Sequence, residues 1–403
     1  MLKLAWRNLF RHSLRTAITL AAIASGVVGL ILSGGFIHDI LTQLGEAVIH
    51  SQTGHLQLTK SGYERSGARR PEEFRIHAPQ AIEKRIADVP GVVDVSARVT
   101  FSGLLNNGKA DLPVIAEGID PAAEARLGTY LMMDSGRHLV AGDRERAVLG
   151  SGVASSLQVA PGDTVTLMAN TDAGALDVLD LEIVGIFRTY SKDYDARAIR
   201  IPLDSAAKIL GSGDASVIVV SLARTDDTGA VAAALRKEFS ESGLEVSTWQ
   251  QLNDFYAKTV LLYERQFGVL RAVILLMVFL SVVNSVNMSL FERVAEFGTM
   301  RALGDKSSFV ARLILTESAL LGGIGAAMGV MGGVLLGLLV SSIGIPMPPP
   351  PNSDIGYTAH IELDVVTLLA ASAIGFVASA CAGIPAALRL SKIPVAEALR
   401  HAI

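Results

Sequence analysis

The chain has 403 residues, of which 50% are apolar, 18% charged and 5% aromatic, with a formal net charge of -4 and a mean hydropathy of +0.43. That composition is too apolar for an ordinary soluble protein and makes the bilayer the solvent for part of the chain. It excludes nucleic acid as a partner, because no block of Lys and Arg with interleaved aromatics occurs; the single cysteine, Cys381, excludes a disulfide framework or a thiolate metal cluster and, lying in an apolar run, reads as a small core residue.

Residues 1–15 carry Lys3, Arg7, Arg11 and Arg15 and no acid. Residues 16–37 then run without a charge, and at about 1.5 Å per residue they span roughly 33 Å, enough to cross the hydrocarbon layer. A cleavable signal peptide is the rival reading, but the apolar run continues well past the small residues 22–25 that would be cut. Ala22, Gly26, Gly29 and Ser33 recur at helical spacing and predict one smooth face for another helix.

From residue 38 to about 266 the chain turns polar and reads as a folded α/β domain inserted between the first and second spans. GHLQLTK predicts a strand, followed by a linker with Arg69, Arg70 and Pro71. PQAIEKRIADVPG predicts a helix with Pro at its start and Pro-Gly past its end, and VVDVSARVTF a strand. The same order returns near the far end, where ASVIVVSL and LEVSTW flank the helical AVAAALRKEF. Two strand–helix–strand units thus enclose a section rich in strands and turns, which predicts a βαβ-containing lobe at the membrane with a mostly β lobe inserted into it. Residues 38–49 and 250–266 contain no proline and read as stalks that continue the first and second spans outward.

Three further spans follow at 267–290, 310–345 and 365–388. Arg271 in the first of them lies near an interface, to which its head group can snorkel. Four spans put both termini on one side. Lys and Arg crowd the N-terminus, the connection with Arg293, Arg301, Lys306 and Arg312, and the tail with Arg389, Lys392 and Arg400, whereas residues 345–364 have none, so the termini and that connection are expected in the cytoplasm and the large domain outside. The prolines Pro346 and Pro348 to Pro351 read as a stiff extended cap on the outer connection.

Few segments suggest chemistry. Residues 103–110, GLLNNGKA, match the glycine and lysine spacing of a phosphate loop, but Ala110 replaces the magnesium-binding hydroxyl and a strand-like segment follows, so a turn between strands is the simpler reading. His50 and His55 form at most a metal pair without a third ligand, and no catalytic constellation is evident. Gly325, Gly329, Gly333 and Gly337 form a small-residue ladder at four-residue spacing, which lets helix backbones approach closely; packing against another span of this chain, for which the fourth span with Ala371, Gly375, Ala378 and Gly383 is a candidate, is expected ahead of the alternative, a contact between subunits. Glu317, near the start of the third span, is expected to pair with Arg301 or Arg312 or to face the interface.

Residues 290–304, LFERVAEFGTMRALG, are a charged segment between two apolar runs, of helix length. At 100° per residue Leu290, Val294 and Phe297 share one face while Glu292 and Glu296 share another, where two acids repel and Arg293 offsets part of that. The acidic face left over suits a basic partner; a short amphipathic helix resting on the inner leaflet is the rival reading, and the residues by themselves lean toward it. Gly304 is placed to stop the helix and Asp305 to cap the next.

MSLFERVAEFGTMRALGDKSSFVARLILTESALLGGIGAAMG resembles the FtsX-type permease core, and IPAALRLSKIPVAEALR resembles that family's tail. The outer region, with VPGVVDVSARV, IAEGIDP, SGRHL, LGSGVASSLQVAPGDTVTL and VSTWQQL, is similar to the periplasmic domain of MacB and of the LolC/LolE lipoprotein-release permeases. The resemblance implies an inner-membrane ABC transporter permease organised as residues 1–37 (N-terminal helix and first span), 38–266 (periplasmic domain) and 267–403 (permease core, with the coupling loop at 291–309). It implies no catalytic site or cofactor in this chain, ATP and Mg being held by a cytoplasmic ABC ATPase dimer. A second permease copy or paralogue, membrane lipid and a lipoprotein or amphiphilic cargo are the other implied partners. By matching position Glu292, Arg293, Glu296, Gly298, Arg301 and Gly304 become ATPase-coupling residues and Glu317 a supporting membrane acid. A cargo-free transmitter controlling a cell-wall hydrolase or a sensing complex is the alternative.

Overall fold

The basic start of the chain forms α1 (Leu2–Arg11), and the charge-free run behind it forms α2 (Ser13–Val48). The computed structural model describes residues 2–11, 13–67, 71–127, 131–349 and 356–392, so Arg69, Arg70, Pro350, Pro351 and the tail beyond Lys392 lie outside the described residues. The chain divides into a helical unit, drawn from its first 42 residues, Thr259–Met347 and the stretch from Thr358 on, and a second unit made chiefly of Gln43–Lys258. The helix α2 gives way to a π-helical turn, Ile49–Thr53, closed by Gly54 at φ +65°.

In the second unit β1 (Leu56–Lys60), α3 (Pro79–Ala87) and β2 (Val92–Asn106) make the first strand–helix–strand unit. The inserted lobe supplies β3 (Asp111–Ile119), β4 (Met132–Gly136), β5 (Arg146–Gly150), β6 (Thr164–Asn170), β7 (Leu176–Arg188) and β8 (Ala198–Pro202). β9 (Val217–Leu222), α4 (Thr228–Glu238) and β10 (Leu244–Thr248) complete the second unit. The order β10-β1-β9-β2 is antiparallel throughout, so each strand–helix–strand unit has a strand of the other between its two strands, the split arrangement of ferredoxin-like lobes. Leu56, Leu58, Ile86, Ile218, Val220, Leu235 and Phe239 form the core beneath α3 and α4. β2 belongs to both lobes. Its first half pairs with β9 and its second half with β3 and β6, and the inserted lobe closes around Phe101, Leu105, Leu149, Leu167, Leu181 and Ile199. The GLLNNGKA stretch is the hairpin turn joining β2 to β3: Asn107 Oδ1 accepts the N–H groups of Lys109 and Ala110 at 2.9 and 2.8 Å, with Gly108 at φ +83°.

The second long helix, α5 (Asp254–Glu292), starts later than the expected stalk. Trp249–Leu252 forms its own turn, and Asn253 interrupts the path because its side chain caps α5, accepting the Tyr256 N–H at 2.8 Å. α6 (Val294–Ala302), α7 (Ser307–Ile343) and α8 (Val365–Lys392) follow. Asp305 does not cap α7; Lys306 precedes that helix in an extended conformation, and no side chain caps it. Together α2, α5, α7 and α8 supply four helices long and apolar enough to cross a membrane.

The glycine ladder faces α2 rather than α8. A Cβ built on Gly325 would stand 2.7 Å from Ile23 Cγ2, one on Gly329 2.6 Å from Val27 Cβ, and one on Gly333 2.8 Å from Ile31 Cδ1, while Gly337 faces Leu363. Bulky side chains on the first span fill the holes, so the partner of the ladder need not be made of small residues itself. α8 uses other positions: Gly322 of α7 meets Ser379, Gly383 meets Ser318, and Gly375 meets Val27. The smooth face read on the first span packs Gly26 and Gly29 against Ile274 of α5. Cys381 is exposed on α8 rather than in the core.

Candidate functional site

Residues 290–304 sit at one end of the helical unit, and the structure breaks them in two. α5 runs to Glu292, Arg293 leaves the helical region at φ -113° and ψ 12°, and α6 begins at Val294. Neither proline nor glycine stands at the break. The Arg293 side chain, 8% exposed, holds it. Nε donates to Glu296 Oε2 at 3.2 Å, Nη1 donates to the two Glu317 oxygens at 3.1 and 3.3 Å, and the guanidinium lies 4.9 Å from the Phe297 ring centre. Glu317 Oε1 also accepts from Asn8 Nδ2 at 2.6 Å. Glu317 therefore pairs with Arg293 and Asn8, not with Arg301 or Arg312, because the break turns Arg293 toward α7.

The expectation of an unmatched acidic face is corrected by α1 and α2. Arg15 donates from Nη1 and Nη2 to Glu292 at 2.7 and 2.6 Å, and Arg11 Nη1 donates to Glu296 Oε1 at 2.5 Å. The basic partner of the two glutamates is this chain's own N-terminal stripe. Partial burial raises the Glu296 carboxyl, and hydrogen bonds from Arg11 and Arg293 more than offset that, holding it below its ordinary value. Between these pairs lies a cavity of about 50 Å³ lined by Asn8, Arg15, Ser285, Arg293 and Glu317, polar enough to hold ordered water.

Gly298 is buried on α6 and Arg301 is half-buried. The helix ends in a paired turn in which the Asp305 N–H donates to Met300 O at 3.1 Å and the Gly304 N–H to Arg301 O at 3.2 Å, with Gly304 at φ +106°, a conformation that favours glycine. What this end offers to a partner is apolar. Leu303 is 84% exposed, Phe291 is exposed beside the glutamates, and Asp305 and Lys306 rim the turn.

The family described as MacB-like periplasmic core domain matches residues 16–238, and that described as FtsX-like permease C-terminal matches residues 268–395. The chain belongs to the FtsX/MacB family of ABC transporter permeases. The lipoprotein-releasing system transmembrane protein LolC of Neisseria meningitidis is 26% identical over 412 residues, covering 96% of this chain and 94% of that one. LolE of Haemophilus influenzae is 22% identical and covers 78% of this chain and 74% of its own. The macrolide export ATP-binding/permease protein MacB of Rhodospirillum rubrum is 26% identical, covering 87% of this chain and 55% of that protein. The solved periplasmic region of MacB from Actinobacillus actinomycetemcomitans aligns at a TM-score of 0.38 and 14% identity, over 51% of this chain and 93% of that one, a likeness too distant to carry an argument. Membership makes this the transmembrane subunit of an ABC transporter in the inner membrane and implies an ATPase partner.

The permease also carries a polar cluster in its periplasmic-type unit that sequence reasoning missed. Arg200, on the fully buried strand β8 and 1% exposed, donates to Glu117 at 3.1 Å, to Glu124 at 3.5 Å and to the Ser51 carbonyl at 2.8 Å. Tyr194 donates its hydroxyl to Glu117 at 2.7 Å, and its burial pushes that hydroxyl well above the ordinary tyrosine value. Arg98, from the other lobe, pairs with Glu124 at 2.5 Å and donates to the Gln52 carbonyl at 2.5 Å. Two buried arginines, one from each lobe, thus close on successive carbonyls of the π-helical turn after α2. A lone arginine in AIRIP is the only sequence signal, and alternation by itself reads it as solvent-facing.

Among the described residues no three His, Cys, Asp or Glu stand together to hold a metal ion. His50 and His55 are instead engaged in structural hydrogen bonds. His55 accepts the Leu222 N–H at Nδ1 (3.2 Å), which leaves Nε2 to donate to Thr225 Oγ1 at 3.2 Å, and Thr225 donates in turn to Glu46 at 2.6 Å. Burial, followed by the neighbouring His50, lowers the His55 imidazole to about 4 from 6.5. The folded permease then binds fewer protons than the unfolded chain between those values, so this stabilisation is complete above pH 6.5 and is lost as pH falls toward 4. Thermal melts of the full chain should show a midpoint that falls across that window, with a shallower fall for His55→Gln. Equal slopes for the two proteins would show that His55 is not the titrating group.

Proposed function

We propose that this permease couples ATP hydrolysis by a separate cytoplasmic ATPase to motion of its periplasmic domain, and thereby extracts or exports a lipoprotein, lipid or other amphiphile. The single observation that carries the proposal is the clamping of α6. Glu296 ties it to α1, Glu292 at its junction with α5 ties to Arg15 at the start of α2, and Arg293 ties it to α7. A displacement applied to α6 is passed to several spans at once. Of these, α2 and α5 are helices of 36 and 39 residues, longer than a bilayer requires, so each carries movement beyond the membrane.

The excess of Lys and Arg at this end supports a cytoplasmic placement of α6 and of both termini. The ATPase docks on the exposed end of α6, around Leu303 and the turn at Gly304, rather than on the paired glutamates. The permease works with a second copy or a paralogue. A lipidated cargo is supported by the similarity to LolC of Neisseria meningitidis, which is named as part of a lipoprotein-releasing system.

Co-purification of the full chain with its ATPase tests the docking. Leu303→Glu should lower the retained ATPase about tenfold, the scale of a buried apolar anchor, while leaving the melting midpoint of the permease unchanged. ATPase retained at the wild-type ratio with wild-type turnover would exclude this surface.

A further inference from the structure

Where α2 ends, one acid and two histidines stand within ten residues of each other: Glu46, His50 and His55. Glu46 lies on the last turn of α2 and His50 in the π-helical turn that follows. Glu46 is tied to the lobe of β1, β9 and β10, its Oε1 accepting from the Thr225 hydroxyl at 2.6 Å. His50 reaches the inserted lobe instead. Its Nδ1 stands 3.1 Å from the carbonyl oxygen of Leu127, the last residue of the short helix Pro121–Leu127, and its Nε2 stands 3.2 Å from Glu46 Oε2.

A carbonyl and a carboxylate oxygen can only accept, so both ring nitrogens carry a proton when both contacts are made, and the ring is an imidazolium. A neutral ring has one N–H. The Glu46 charge keeps that proton on Nε2, which turns the Nδ1 lone pair toward the lone pairs of the Leu127 carbonyl. The contact that fails with the second proton is therefore the one to the inserted lobe. His50 stands 13 residues past the charge-free run 16–37, about 20 Å along the chain if helical, and so titrates outside the hydrocarbon. The charged groups on neighbouring elements are already matched: Glu124 of the short helix by Arg98 and Arg200, Arg126 by Asp94, and Arg224 by Asp226. The ring centre of His55 is 5.7 Å away, and its own burial keeps that imidazole neutral. The hydrogen bond to Glu46 raises the His50 imidazole above 6.5, against the effect of burial and with help from the Leu127 carbonyl. The folded chain thus holds this proton more tightly than the unfolded one, and the stabilisation is complete below pH 6.5 and lost as pH rises through the folded value.

We propose that His50 is a proton-operated latch: as the imidazolium it fastens the end of α2 to the C-terminal end of the short helix Pro121–Leu127, and on losing a proton it lets Leu127 go. The same helix keeps a second attachment that does not involve His50. Glu124 is held by Arg98 and Arg200, which also grip the Gln52 and Ser51 carbonyls of the turn after α2. Two attachments fix the direction of the helix and one leaves a pivot. The proton on His50 decides whether the inserted lobe follows the end of the first span rigidly or swings about Glu124. Its use in transport rests on the coupling proposed above; the latch itself does not.

Hydrogen exchange of the full chain without ATPase, followed across a pH range on both sides of 6.5, tests the latch. Exchange in residues 121–127 is divided by exchange in Ser151–Leu157, another short helix of the inserted lobe, which removes the intrinsic dependence of exchange on pH. In wild type the ratio should rise about tenfold as pH climbs through the His50 value, the scale of one hydrogen bond to a charged group. His50→Gln should abolish the step and His55→Gln should keep it. Glu46→Gln should keep the step and move its midpoint to lower pH, because the anion that holds the proton is gone; this shift decides the matter even if His50→Gln folds poorly. A flat wild-type profile, a step that survives in His50→Gln, or a Glu46→Gln midpoint at the wild-type value each overturn the proposal. ATP-driven activity of the assembled transporter reports the use separately: activity that ignores the step refutes the role in transport while the exchange result stands.

Discussion

Replacing Arg200 with Met should destabilise the periplasmic-type unit by about 3–5 kcal/mol, because it leaves a buried carboxylate without its cation. Arg98 still neutralises Glu124 at 2.5 Å, so Glu117 is the orphan, with the Tyr194 hydroxyl as its remaining partner among the described residues. Adding Glu117→Gln removes that charge and should recover most of the loss. The exposed pair Arg85–Glu238, at 53% and 40% exposure, is the internal control, and breaking it should cost less than about 1 kcal/mol. Denaturant melts of the full chain measure the loss, and hydrogen exchange at residues 49–54 reports whether the turn after α2 loosens with it. A loss at Arg200 as small as that of the control would mean that the buried network is dispensable.

Arg11→Glu and Glu296→Arg should each lower ATP-driven activity of the assembled transporter about tenfold, within the usual range of coupling free energies. The double exchange Arg11→Glu with Glu296→Arg should recover the share carried by this pair, while the share carried by the Arg293 hydrogen bond to Glu296 stays lost. The pair is 59% and 42% exposed, so its contribution to folding is at most about 1 kcal/mol and Arg11→Glu stays folded. Rescue is the informative outcome, since a general loss of packing would not be repaired by a second charge reversal. If both single variants transport normally, or the exchange fails to rescue them, α6 is not driven through this contact.

The four spans, the inserted domain and the stop at Gly304 are legible in the sequence because each is a local property: a charge-free run, a strand–helix–strand order, a glycine where φ turns positive. The break at Arg293 is not local. Nothing in LFERVAEFG disfavours a helix, and the side chain that sets the break finds its partner 24 residues away on α7. The partners of Glu292 and Glu296 lie 277 and 285 residues upstream, in a stripe that by itself signals only which side of the membrane it occupies. Residues 365–388 are apolar on every side, so no amphipathic pattern marks Cys381 as outward-facing or α8 as the wrong partner for the ladder. Arg200 escaped notice for a related reason: its burial depends on Ser51, Glu117 and Glu124, which the topology gathers from separate segments.

Ile23, Val27 and Ile31 enter the third span at Gly325, Gly329 and Gly333, tooth for notch and with the same four-residue pitch on both helices. Two such racks can slide past each other and regain their fit only after a whole pitch, about 6 Å of helix. Smaller displacements lift a branched side chain onto the rim of its notch and forfeit dispersion contacts. Axial travel between the first and third spans is therefore indexed, with rest positions set by the glycines.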